Sequence, residues 1–264
     1  MTRIPTVRVR KESRAGGPVA FVTLDNAARL NVMNTSLMEG FVEAMAMLSS
    51  QDDLRAVVLT GAGDRAFVGG ADVNEMARID SPAAARAFIS RVHHCCAAVR
   101  ACPAPVIGRI NGWTLGAGLE LAASCDLRVA VDTARFGMPE VKLGIPSVVE
   151  AAVLPGLVGW GRTREMLLLG ETFDAAAALA MGLVDAVVPA AGLDQAVENR
   201  LTALLAAGHR AVRIQKALIS RWEELPLKDA IAAGVDAFAS AFETDEPTEA
   251  MTAWQAGRTA AKPT

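Results

Sequence analysis

The sequence predicts an α/β fold whose last third is almost wholly helical. Two observations predict it. Up to Pro189, short apolar β-type runs alternate with stretches of helical periodicity, the pattern of sheets covered by helices. Beyond Pro189 only helical patterns remain. The composition supports a substantial core. Of 264 residues, 52% are hydrophobic and 21% charged, which is too apolar for a disordered chain.

The elements follow in order. Residues 19–25, 56–60, 106–110, 127–131 and 185–188 are expected strands, and residues 35–50, 81–100 and 116–124 are expected helices. Ser81 and Pro82 suit the N-cap and first turn of the second helix. Four further helices are expected over 192–207, 210–221, 225–242 and 246–260, with Gly208 and Pro226 as punctuation and Pro247 near the start of the last. The expected division is a mixed core over 1–190 and a helical region over 191–264. The strand–turn–helix theme recurs at irregular spacing, without a fixed-period repeat.

Charge and composition exclude several function classes. The net charge is −3, from 26 basic and 29 acidic residues, and no basic tract marks a nucleic-acid footprint. Local positive groups or helix N-termini could still hold an anionic ligand. The first 25 residues alternate charge with short apolar runs, which argues against a secretory signal. Pro146, Glu150 and Pro155 interrupt the longest apolar stretch, 143–160, so no membrane-spanning segment is expected. Cys95, Cys96, Cys102 and Cys125 in a long chain suggest a reducing, cytoplasmic compartment. "HHCC" at 93–96 invites a zinc reading. Adjacent helical residues point in different directions and no second ligand cluster exists, so helix surface and core is the favoured reading and no metal is expected. There is no tyrosine, hence no tyrosine chemistry.

Two segments share one design. "AVVLTGAGDRAFVGGADVNEM" (56–76) and "PVIGRINGWTLGAGLELAASCD" (105–126) each run from a β stretch through glycine-rich residues into a helical start. Glycine lets the backbone take positive φ and approach a ligand closely. The first N–H groups of a helix lack intrahelical acceptors. Two such turns side by side can aim two N–H groups at one oxygen, forming an oxyanion hole from main chain. Ala71, after Gly69-Gly70, and Ala117, between Gly116 and Gly118, are the natural donors. Either turn alone reads preferentially as a tight connection, and only the pair points to a hole. A dinucleotide fingerprint fits poorly, because Leu121 occupies its last glycine position, and no phosphate-binding Gly-Lys-Ser/Thr loop exists.

Three ordered motifs resemble the crotonase, or enoyl-CoA hydratase/isomerase, superfamily: "FVGGADVNEM" (67–76), "NGWTLGAGLELAASCD" (111–126) and "ARFGMPEVKLGIP" (134–146). "RLNVMN" (29–34) resembles the family's loop at the coenzyme A site, and "GETFDAAAALAMGLVDAVVP" (170–189) the segment after its catalytic core. The resemblance covers about residues 19–254. It implies a spiral of ββα units with a helical C-terminal region that trimerises, often into a hexamer. It implies acyl-CoA thioester substrates, with coenzyme A as part of the substrate and no separate cofactor. The thioester oxygen would lie between the N–H groups of Ala71 and Ala117. Substrate contacts would fall to Arg29, Asn31, Gly69, Gly70, Asp72, Val73, Asn74, Gly116 and Trp254.

Within that resemblance Glu120 and Glu140 match the two glutamates that flank the double bond in hydratases. Glu120 follows the Ala117 donor in an otherwise apolar helix. A helix N-terminus favours its charged form and apolar neighbours its neutral form, and opposed effects of that kind tune an acid for proton transfer. A hydratase uses one carboxylate to deprotonate water and the other to protonate the α carbon. Isomerases and thioester hydrolases on this fold often keep one acid, so the pair favours hydration. Other acyl-CoA chemistry on the fold (isomerisation, dehydration, hydratase-lyase chemistry) and CoA binding without turnover remain the alternatives.

The chain departs from the family at "VKLGIPSVVEAAVLP" (141–155), where Ser147 and Glu150 replace small and glycine positions. Glu150 reads either as a third acid at the pocket wall or, preferably, as an ordinary exposed first-turn residue. Asn74 stands where hydratases often carry Lys. Gly257 replaces a lysine near the nucleotide, with Arg258 as a substitute. Arg29 and Arg65 are candidates for the phosphates.

Overall fold

The computed structural model describes residues 4–260, with side chains through 256. The chain divides into two compact units, Met1–Leu201 and Thr202–Thr264. In the first unit the order is β1 (Thr6–Arg14), β2 (Gly17–Asp25), α1 (Thr35–Ser49), β3 (Ala56–Gly61), β4 (Ala66–Val68), α2 (Val73–Met76), α3 (Pro82–Ala101), β5 (Val106–Ile110), β6 (Trp113–Leu115) and α4 (Ala117–Ala123). It continues with β7 (Leu127–Val131), β8 (Arg135–Gly137), α5 (Leu154–Leu169), β9 (Thr172–Asp174), α6 (Ala175–Ala180), β10 (Ala186–Val188) and α7 (Leu193–Ala206), inside which the division falls.

The strands form two sheets. The larger has the order β1-β2-β3-β5-β7-β10, parallel except for the antiparallel β1–β2 pair. The smaller runs β4-β6-β8-β9, with only the last pair antiparallel. From β3 to β8, successive strands alternate between the sheets. β3, β5 and β7 lie in the larger, and each is followed by β4, β6 or β8 in the smaller and then by helical chain. This is the ββα spiral that the motifs implied. The parallel strands are covered on both faces, which is why they read as unbroken apolar runs. Ala56, Val57, Val58 and Leu59 are all buried. Phe41, Phe67, Phe136, Met33, Met45 and Ile107 fill the largest core positions.

The expected helices and the long parallel strands lie where the sequence placed them. Ser81 caps α3, its side chain accepting from the Ala84 N–H with Pro82 following. The structure adds β1, whose alternating charges had hidden it. Its residues are exposed or half-exposed, as suits an edge strand blunted by charge. It also adds α5, α6 and four strands of three residues each. α5 breaks at Gly159 (φ +75), and its apolar residues form no single stripe: Trp160, Leu168 and Leu169 are all exposed.

The second unit holds α8 (His209–Trp222), α9 (Leu227–Ala241) and α10 (Glu246–Ala260). Glu246 accepts from the Arg210 and Ala211 N–H groups and so caps α8. Trp222 donates its indole N–H to the Ala230 carbonyl at 2.8 Å, tying α8 to α9. No helix among the described residues is long and apolar enough to cross a membrane.

Candidate active site

All three motifs converge on one cavity of about 130 Å³ in the first unit. Its walls come from Gly69, Gly70 and Ala71 after β4, from Gly116, Ala117 and Glu120 at the start of α4, and from Glu140 with the apolar segment after β8. α2 and α3 close it with Met76, Phe88, Ile89 and Val92. A larger open cleft of about 840 Å³ lies beside β1 and β2. Its charges are spent on one another, as in Arg14 with Glu198 and Arg109 with Asp194, so it offers no convergent chemistry.

The two turns have the backbone the chemistry needs. Gly70 has φ +112 and Gly116 φ +51, both in the region that glycine tolerates best. Met33 pairs with Ala71 by accepting from the Asp72 N–H and donating to the Gly70 carbonyl, both at 2.9 Å. That register uses the residues on either side of Ala71 and leaves the Ala71 N–H directed away from Met33. Ala117 is the first residue of α4, so its N–H has no acceptor within the helix. Both alanines line the cavity. Gly118 lets α4 sit on β4, because a Cβ there would strike the Val68 carbonyl.

Both glutamates line the cavity, Glu120 from α4 and Glu140 from the segment after β8. Glu120 is 3% exposed and accepts from the Ala151 N–H at 3.2 Å. Burial and then the charge of Glu140 push its carboxyl up to about 8, against a partial offset from that N–H, and Glu150 adds to the rise. Burial is the largest of these causes and dominates the one lowering contact. Glu140 lies in a 3-10 turn, Pro139–Leu143. The Ser147 hydroxyl donates to its Oε2 at 2.7 Å. Its Oε1 lies against Gly116, so a Cβ there would push the Glu140 carboxylate out of place, while the positive φ already favours glycine. Ser147, which the sequence showed only as a departure, thus holds one of the two acids.

A family model described as Enoyl-CoA hydratase/isomerase matches residues 14–261. The chain belongs to the enoyl-CoA hydratase/isomerase family. Among similar curated proteins, the short-chain-enoyl-CoA hydratase of Clostridium acetobutylicum is 33% identical, covering 90% of this chain and 91% of its own. The crotonyl-CoA hydratase of Syntrophomonas wolfei is 32% identical, covering 89% of this chain and 91% of its own. The crystal structure of an enoyl-CoA hydratase from Bacillus anthracis superposes with a TM-score of 0.90 at 29% identity, covering 96% of both chains. The spiral architecture is therefore the crotonase fold.

The remaining residues expected at a family site divide by position. The loop bearing Arg29 and Asn31 is zipped to the first turn, Gly69 N–H donating to the Leu30 carbonyl at 2.8 Å. Asn31 is fully buried at φ +55. Its amide donates to the Ala62 and Ala66 carbonyls and its oxygen accepts from the Asn26 N–H. Its side chain shapes the loop rather than meeting a ligand. Arg29 grips Asp72 with two bonds, 2.7 and 3.0 Å, and is half-exposed outside the cavity lining. Burial alone would raise the Asp72 carboxyl, but Arg29 and the Asn74 N–H outweigh it and hold the group below the ordinary range. Asp72 caps α2, on which Val73, though half-exposed, lines the cavity while Asn74 stands exposed. Arg65 is exposed as well. Trp254 is exposed on α10 of the second unit, and the surroundings of Gly257 and the side chain of Arg258 lie outside the described residues.

The preferred reading of Glu150 as an exposed first-turn residue is corrected. Glu150 is 6% exposed, and its Oε1 lies 2.8 Å from the His93 Nδ1. Val149, immediately before it, sits at φ +40, a backbone strained for a β-branched residue. Cys95 and Cys96 beside His93 are core residues. Burial pushes the Cys95 thiol up to about 12, and burial with the Glu150 and Glu120 charges raises that of Cys96, so neither is a ready thiolate.

Proposed function

We propose that this protein adds water to the double bond of a 2-enoyl-CoA to give the 3-hydroxyacyl-CoA. The observation that carries the reading is the convergence of two acids and two turn N–H groups on one cavity. The thioester oxygen accepts from the Ala71 and Ala117 N–H groups. Glu140, held by Ser147, takes a proton from water as its oxygen bonds to the β carbon. The π electrons move onto the thioester oxygen as an enolate, where the two donors stabilise the charge. Collapse of the enolate takes a proton from Glu120 to the α carbon. A group raised to about 8 holds its proton at neutral pH, which suits it to this acid role. Coenzyme A is carried in by the substrate, and no separate cofactor enters the reaction. Arg29, half-exposed beyond its pair with Asp72, and exposed Arg65 are the candidates for its phosphates.

The cavity is small and its far wall is apolar, which favours a short acyl chain. The names of the relatives above point the same way. Loss of absorbance of the conjugated thioester on mixing with crotonyl-CoA tests the reading. Absence of any loss with short and medium 2-enoyl-CoA esters would remove it.

The assembly we infer is a homotrimer or a dimer of trimers, in the cytoplasm. It rests on the family resemblance and on α9, where Leu227, Ile231, Val235 and Phe238 are each more than 60% exposed along one side. Light scattering at micromolar concentration is expected to give at least three protomers, and a monomer would refute the assembly.

A further inference from the structure

We propose that Phe88 is the chain-length stop of this site: its buried ring ends the acyl pocket and confines the enzyme to short aliphatic 2-enoyl esters. The inference rests on the function read above and deepens it, because it assigns the acyl limit to one side chain.

The cavity has an open side and a closed one. Leu143, Ile145 and Val148, from the segment after Glu140, line it and are exposed. Coenzyme A, far larger than a cavity of about 130 Å³, stays on that side. Phe88 and Val92 line it from α3 and are buried, Phe88 at 7% exposure and Val92 at 0%. With the thioester oxygen held at Ala71 and Ala117, a tail that leaves the double bond away from solvent runs into this wall.

The course of the wall follows α3. Cys96 bonds to Ser124 at the end of α4 and lies within electrostatic reach of Glu120, so this level of α3 stands beside the reacting carbons. Val92 and Phe88 precede it at intervals of four residues, along one side of the helix. The rise from Phe88 to Cys96 is about 12 Å. The tail therefore passes Val92 first and meets Phe88 last.

Phe88 is the member of this wall that does not yield. α3 packs along α1, which holds the ring in place from behind. Met76, lining the cavity from α2, is only half-buried and has a flexible, unbranched side chain that moves aside. Phe88, Ile89, Val92 and Met76 bring no charge and no hydrogen-bonding group, so the tail they accept is hydrocarbon. One methylene too many must displace a buried ring or bend back toward the mouth, and a misfit of that size is worth about 10-fold or more.

The test is calorimetric binding of two saturated, unreactive esters, butyryl-CoA and octanoyl-CoA, beside kcat/KM for the matching 2-enoyl esters. The wild-type protein is expected to bind octanoyl-CoA at least about 10-fold more weakly than butyryl-CoA. Phe88→Ala should erase or reverse that preference, moving the ratio of the two affinities by about 10-fold or more, with kcat/KM moving alike. Phe88→Leu should move the ratio the same way by less, and it carries the test if Phe88→Ala does not fold. A ring that only packed the core would, on removal, weaken or spare both esters alike. An unchanged ratio in the folded variants therefore overturns the proposal, as does equal binding of both esters by the wild type. A shift produced by Leu143→Ala and not by Phe88→Ala overturns it too, and puts the tail along the mouth. The binding arm needs no turnover. An inactive protein whose affinity ratio shifts as stated would refute hydration and leave the chain-length assignment standing.

Discussion

Glu120→Gln and Glu140→Gln are each expected to lower kcat with a 2-enoyl-CoA by about 10²-fold or more, the usual scale of general acid–base catalysis. Glutamine keeps the size and polarity of the side chain but cannot shuttle a proton at neutral pH. Binding of a saturated acyl-CoA should stay near wild type in both, because neither acid is needed to hold the thioester. The double variant should lose less than the product of the two single losses, since both residues act in one reaction. Steady-state kinetics with 2-enoyl and 3-enoyl esters, alongside calorimetric binding, read all of this. An enzyme that moved a double bond would behave differently. One glutamate would carry the proton between carbons, the other substitution would be mild, and the 3-enoyl ester would be consumed.

Ala117→Pro is expected to cost a similar factor, about 10²-fold or more in kcat, the loss typical of a removed oxyanion donor. The position confines the change to the turn at Gly116 and its donor. Ala117 is the first residue of α4, where proline is well tolerated because the N–H has no intrahelical acceptor. The change therefore removes the donor and spares the helix. Ala117→Ser keeps the N–H and serves as the control, with a far smaller loss. Circular dichroism establishes folding. A folded Ala117→Pro variant with near-normal turnover would show that this N–H carries no transition-state charge.

Much of this was legible in the sequence, for physical reasons that differ by element. The inner strands of the larger sheet are buried on both faces, so β3, β5 and β7 announce themselves as apolar runs. The three-residue strands β4, β6, β8 and β9 are too short to show any period, and tertiary pairing alone makes them strands. The two turns were visible because Gly70 and Gly116 sit at backbone angles that favour glycine. Glu120 stood out as a charge inside an apolar helix. Glu150 was misread because a glutamate in a first helical turn is ordinarily solvated, and nothing local signals its burial beside His93. His93 had been noticed only as part of "HHCC". Its partner lies 57 residues away in sequence, beyond the reach of any local pattern. Asn31 was expected to meet substrate through its loop, whereas its amide is occupied inside the protein.

The central claim is that water is added across a conjugated double bond. Mass spectrometry of the product formed from a short 2-enoyl-CoA in ¹⁸O-labelled water tests it most directly. Hydration gives an intact CoA thioester heavier than the substrate by one labelled water, with the label on the acyl chain. An intact ester of unchanged mass would mean isomerisation or binding alone. Free coenzyme A with a labelled carboxylate would mean thioester hydrolysis. Either of those results contradicts the roles assigned here to Glu120 and Glu140.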